Sequence, residues 1–128
     1  MLEIGIKGQA EETVDADKLA MTMKSGELAV YATPAMIALM EQAAYQSVAQ
    51  QLEEGQGTVG VSMNVKHLAS TPAGMSVTAK SELTHIDRRK LTFHVEAYDE
   101  CGKIGEGTHE RFIIVNQEFQ KRTDEKIQ

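Results

Sequence analysis

Only one stretch of this chain has the length and spacing of a long helix, residues 31 to 51, and any fold has to be built around it. Thr33 is a good N-cap, because its hydroxyl can accept from one of the first unpaired backbone N–H groups. Pro34 follows at the first helical position, where its missing N–H costs nothing and its fixed φ suits a helix. Ile37, Met40, Ala44, Val48 and Leu52 then recur at helical spacing, Ala43 and Ser47 fill in small, and Gly55 supplies a stop. Glu41 departs from that pattern. It projects between Ile37 and Ala44, on or beside the face that should be buried, where an ionised carboxylate is costly unless something pairs with it. A helix whose buried side is rich in alanine and carries one acid can approach a backbone or a ligand closely while presenting a reactive group.

Around this helix the chain reads as strand. Ahead of it, residues 2 to 9 predict a first strand, a turn falls near residues 15 to 19, Ser25-Gly26 breaks the chain, and residues 28 to 32 predict a short strand feeding the helix. Behind it come four strand segments, residues 58–68, 75–87, 91–99 and 103–115, separated by Ser70-Thr71-Pro72-Ala73-Gly74, Asp87-Arg88-Arg89-Lys90 and Asp99-Glu100-Cys101-Gly102. Leu91, Phe93, Val95 and Ala97 alternate with Thr92, His94, Glu96 and Tyr98, as an antiparallel sheet covered on one side requires. Residues 1–128 therefore predict one α+β domain, with the polar segment 116–128 expected to fray. A single helix wrapped by a long curved antiparallel sheet is the hot-dog plan, and a ubiquitin-like or cystatin-like roll would give a similar string. An exposed sheet edge would be removed most simply by pairing two copies into a dimer.

Charge and cysteine usage narrow the function classes. With 19 Asp and Glu against 13 scattered Lys and Arg, the chain lacks the clustered basic face that nucleic acid needs. One cysteine, Cys101, rules out an intrachain disulfide framework and fits a reducing cytosol, so a cytoplasmic location is expected. No basic segment leading into an apolar run stands at the start, and no apolar run approaches membrane-spanning length, so neither secretion nor a membrane partner is expected. Seven Met and no Trp suggest a core of flexible side chains, compatible with a pocket for a flexible ligand.

Thr33, Glu41 and His67 together offer a hydroxyl, an acid and an imidazole, a set able to share acyl-transfer work. Each has a plainer reading: a cap, an acid at the rim of a helix face, an ordinary histidine at a strand end. Eight residues of helix put about 12 Å between positions 33 and 41, so the two should not meet within one chain. If they serve one substrate, an antiparallel helix from a second subunit has to bring a Thr33 near the other Glu41. His85, His94 and His109 show no zinc spacing, and no metal or cofactor is expected. Gly55-Gln56-Gly57-Thr58-Val59-Gly60 follows a helix and enters a strand, the reverse of a dinucleotide fingerprint. Arg88-Arg89-Lys90 reads as a solvated turn or as a contact for coenzyme A phosphates. Arg111 has the option of an acid in the sheet, with Glu110 pointing to the opposite face.

Several short motifs, taken in order, resemble one family: Ala32-Thr33-Pro34-Ala35-Met36, Glu41-Gln42-Ala43-Ala44, the run from Gly60 through His67 to Gly74, and Gly107-Thr108-His109-Glu110-Arg111. Over residues 10 to 115 the chain is similar to the hot-dog thioesterases of the fluoroacetyl-CoA thioesterase-like group. The resemblance implies an acyl-CoA substrate, a catalytic Thr33, Glu41 and His67, substrate-pocket roles for Gly60 and Arg111, and a homodimer with active sites at the subunit interface. Members selective for fluoroacetyl-CoA carry aromatic residues just ahead of the Thr-Pro, forming a lid. Here that stretch, Met21-Thr22-Met23-Lys24-Ser25-Gly26-Glu27-Leu28, has none. The reaction class is expected to transfer and the fluorinated substrate is not. Two other readings remain at this point: a non-catalytic acyl-CoA-binding module, and a dehydratase or hydratase on the same fold, which would also use an acid and a histidine.

Overall fold

The computed structural model describes residues 1–127. In order they form β1 (Lys7–Thr13), α1 (Ala20–Met23), α2 (Thr33–Ala49), β2 (Gln56–His67), β3 (Ser76–Asp87), β4 (Lys90–Asp99), β5 (Gly102–Val115) and α3 (Asn116–Asp124). The five strands make one antiparallel sheet in the order β1-β3-β4-β5-β2, and α2 packs against β1, β3, β2 and β4. This is the expected helix held in a sheet.

Helix α2 buries Ala35, Met36, Leu39, Met40, Ala43, Ala44 and Val48. Opposite them the inner faces of the central strands supply Val77, Ala79, Leu83, Leu91, Phe93, Val95 and Ala97, all with no exposed surface. Each large apolar side chain in this layer contributes about 1.5–3 kcal/mol on leaving water, which is why period-two alternation in the strands pins their register. Alanines on the helix let the sheet come close. A Cβ at Gly8 of β1 would run into the Ala43 carbonyl oxygen, Ser47 Cβ and Ser81 Oγ, so only glycine fits there.

Several boundaries differ from the sequence reading. The first strand starts at Lys7 rather than at residue 2, because Gly5 takes a left-handed turn, φ 101°, and donates to the Leu83 carbonyl. The long helix ends at Ala49, short of Leu52, and its N-cap is Ala32 with no side-chain cap, so Thr33 is the first helical residue instead of the cap. The C-terminal segment expected to fray is helical over Asn116–Asp124, though none of its residues is buried. The short strand expected ahead of α2 amounts to two bridges, Leu19 to Tyr31 and Val30 to Pro72.

Strand β2 is an edge. Its inner neighbour is β5, and the ladder slips between Gly60 and Ser62, leaving Val61 unpaired and about half exposed. Gly60, Val61, Ser62, Asn64 and Lys66 are all exposed along this edge. No helix among the described residues is long and apolar enough to cross a membrane.

Candidate active site

The five residues singled out from the sequence gather at two places along α2. At its N-terminus, Thr33 Oγ1 lies 2.7 Å from His67 Nδ1 at the end of β2. The missing cap explains this contact: a hydroxyl that does not cap the helix is free to reach across to the strand. His67 Nε2 is buried and has no partner among the described residues. Burial also pulls the imidazole below its ordinary pKa, so the ring is neutral at neutral pH. A cavity of about 300 Å³ opens here, walled by Ala20, Ser25, Val30, Tyr31, Thr33 and His67, with Leu68 to Ser70 completing it. Its wall is tied down by backbone hydrogen bonds from Tyr31 to the Thr71 carbonyl and from Ala32 to the Lys18 carbonyl. Tyr31 also donates its hydroxyl to Glu12 at 2.6 Å, which together with burial keeps the phenol protonated.

Two turns further along α2 stands the second group. Glu41 Oε2 accepts a hydrogen bond of 3.1 Å from Arg111 Nη1. Arg111 is buried, and Thr58 engages two more of its donors: Nε by the hydroxyl at 2.8 Å and Nη2 by the carbonyl at 3.0 Å. Burial pulls the guanidinium down from its usual value and Glu41 pushes it back up. Arg111 therefore stands behind the carboxylate as its anchor, and Tyr45 covers it with a ring 5.8 Å from the guanidinium carbon. Gly60 faces the same carboxylate so closely that a Cβ would collide with Glu41 Oε2. The acid itself is not sealed: its side chain keeps 42% of its surface and borders a cavity of about 270 Å³ with Ile37, Gly60, Val61, Ser62, Met63 and His109. It is an anchored carboxylate facing space a substrate could fill, which the cost of burying an ion would otherwise forbid.

The imidazole beside Glu41 within one chain is thus His109, with Nε2 at 4.0 Å, whereas His67 pairs with Thr33. Sequence reasoning weighed His109 only as a metal ligand. Period-two geometry was the missed signal, since a residue two before Arg111 on a strand shares its face. Of the other histidines, His94 joins Glu96 and Glu106 in a cluster whose donor atoms lie within 4.8 Å of one another. Lys103 Nζ already bridges these acids, at 3.2 Å from Glu96 and 2.8 Å from Glu106. Hydrogen bonds from His94 and Tyr98 hold Glu96 down at about 2. Gly57 and Gly60 lie within β2, so the glycine run is strand and no phosphate loop. Arg88 takes a left-handed turn, φ 57°, and is almost fully exposed beside Asp87.

The chain is similar to known proteins over most of its length. Residues 14–117 match a family model described as "Fluoroacetyl-CoA-specific thioesterase". The fluoroacetyl-CoA thioesterase of Streptantibioticus cattleyicolor is 40% identical over 97 residues, covering 76% of this chain and 70% of that protein. A solved structure of the fluoroacetyl-CoA thioesterase FlK is similar with a TM-score of 0.90 at 34% identity, covering 98% of each chain. A Thermus thermophilus hypothetical protein, described as a thioesterase superfamily member, is similar with a TM-score of 0.89 at 28% identity over 98% of this chain and 96% of that one.

Proposed function

This chain belongs to the fluoroacetyl-CoA-specific thioesterase family and is an acyl-CoA thioester hydrolase of hot-dog fold, and from that premise we propose that it cleaves a short, non-fluorinated acyl-CoA with Glu41, His67 and Thr33. The observation that carries the proposal is the carboxylate of Glu41, anchored by a buried guanidinium, pressed against a glycine and open to a cavity.

A thioester needs a nucleophile and help for the oxyanion, and little for its leaving group, because a thiolate departs readily. Glu41 either attacks the thioester carbon, giving a mixed anhydride that water then hydrolyses to the free acid and the regenerated carboxylate, or takes the proton of a water that attacks the carbon directly. In both cases the thiolate leaves and is protonated as coenzyme A. His67, neutral and with Nε2 unpartnered, is suited to donate to the oxyanion or to exchange that proton, and Thr33 sets the orientation of its ring. Gly60 admits the thioester close to backbone, and Arg111 acts from behind the carboxylate. The substrate proposal rests on α1 and the loop after it. Where the fluoro-selective members are similar in carrying an aromatic lid, this chain has Met21, Met23, Lys24 and Ser25, and Lys24 ends the helix in a left-handed turn.

The two groups sit about 12 Å apart along one helix, too far to act on one carbonyl. We therefore propose a homodimer that pairs β2 with the β2 of a second copy. Antiparallel pairing about the middle of β2 brings the His67 end of one copy towards the Gly60 end of the other, so that each thioester meets the Thr33–His67 pair of one subunit and Glu41 of its partner. The exposed, unpaired edge of β2 supports such a pairing. The cytoplasm, where acyl-CoA esters are made and a lone exposed Cys101 stays reduced, is the proposed setting.

The test is a panel of short acyl-CoA esters assayed with a thiol reagent, products being identified by mass spectrometry. Free coenzyme A and the acid are expected. Glu41→Gln should fold normally and lose about a hundredfold to ten-thousandfold in kcat, the range of acid–base catalysis. A soluble Gln variant with full turnover rules the acid out, and gain or loss of water on an intact thioester points to hydratase chemistry instead.

A further inference from the structure

Arg111 Nη1 carries two hydrogens. One goes to Glu41 Oε2, and the other is directed at His109 Nε2, 3.1 Å away. His109 is buried, with 1% of its surface exposed. Its Nδ1 lies 2.8 Å from the Ser62 carbonyl, which has no hydrogen to give, so the ring must donate there. That leaves Nε2 with only a lone pair to offer. The lone pair is what a guanidinium hydrogen seeks; a hydrogen on Nε2 would face it donor to donor.

The groups around the ring hold this state. Phe93 on β4 stacks on the imidazole with centroids 6.2 Å apart. From α2 the charged neighbour is Glu41, with Tyr45 beyond it against Arg111; from β5 they are Arg111 and, on the opposite face, Glu110; β2 offers the Ser62 carbonyl. Burial lowers the imidazole pKa first of all, and Arg111 lowers it further, against Ser62, Glu41 and Glu110, which raise it. A neutral ring is the outcome.

We propose that His109 is a positioning residue for thioester hydrolysis: as the neutral Nδ1–H tautomer it accepts from Arg111 at Nε2, and so fixes the guanidinium in the orientation that aims its other hydrogen at Glu41. Thr58 grips one edge of the guanidinium, through Nε and Nη2. His109 grips the end that faces the acid. Without it the guanidinium can pivot about Thr58, and the carboxylate drifts with it. The inference rests on Glu41 as the reacting carboxylate.

Two substitutions separate the two ring nitrogens. The side-chain nitrogen of Asn stands near the place of Nδ1 and keeps the bond to Ser62, whereas the oxygen of Gln reaches the place of Nε2 and can accept from Arg111. His109→Asn should lower kcat on the order of a hundredfold with KM unchanged, the scale at which a misplaced group by about an ångström is felt, and His109→Gln should recover most of it. A residue that serves only packing or the Ser62 bond would show the reverse order or no difference, which overturns the proposal. Ring nitrogen NMR on the unaltered protein is the second arm: the Nδ1–H tautomer is required near neutral pH, and an Nε2–H or doubly protonated ring overturns it even if neither variant folds. Glu41→Gln is assayed alongside. If that variant turns over normally the reading of the site itself fails; if it is inactive and Asn matches Gln, only the role of His109 falls.

Discussion

At the scale of single residues, the site is governed by what stands next to a carboxylate. Glu41 keeps one oxygen on Arg111 and leaves no room for a side chain at position 60. Gly60→Ala therefore has to push the carboxylate off its anchor. Since displacement by about an ångström costs on the order of a hundredfold in rate, this variant should lose that much in kcat while its melting temperature stays close to the original. Steady-state kinetics with a thermal melt checks both halves, and normal kcat in a folded Ala variant would show the acid free to move. Glu41 and Thr33 stood out as candidates from residue type and spacing, whereas His109 was passed over although its place two residues before Arg111 puts it on the same face of the strand. Its value comes from what flanks it in space: the Ser62 carbonyl from β2, and Arg111 from its own face of β5.

Among the elements, α2 decides where everything else can be. Its buried face mixes Met with Ala, and the alanine side allows β1 to approach until Gly8 touches helix backbone at Ala43. A methyl group at Gly8 has nowhere to go. Gly8→Ala should cost about 1–3 kcal/mol of stability, the usual penalty for overpacking, read as a lower urea midpoint with an unchanged slope. The same change leaves Glu41 and Thr33 on their own turns, so activity in the fraction that remains folded is expected to persist. The four strands after the helix were legible to within two residues, since alternation and turn residues mark them directly, as in Leu91, Phe93, Val95 and Ala97. The helix N-terminus was misplaced by one residue. That single step turned Thr33 from a cap into a partner for His67.

For the whole molecule, the proposed arrangement places half of each site on either subunit. Subunit mixing tests it. Thr33→Ala and Glu41→Gln are each expected to be inactive as homodimers, but a heterodimer of the two would carry one site with both defects and one with neither. At equal mixing, half the dimers are heterodimers with one intact site of two, so about a quarter of the original activity should return. No recovery, with heterodimers demonstrated by mass, would mean that each site is built within a single chain. Val61, unpaired on the β2 edge, sits where such a dimer would close.

The linear sequence by itself determined the one long helix, the four strands behind it, their inward faces, and a candidate set of reactive residue types, because periodicity, turn chemistry and side-chain reactivity are written locally. Tertiary structure alone decided which of those groups meet. Contacts between elements that lie dozens of residues apart put His67 with Thr33 and set Arg111 and His109 behind Glu41, and the strand order left the edge of β2 bare. Those contacts depend on the path of the backbone through space and on which buried polar atoms must find partners, and neither is encoded at any one position of the chain.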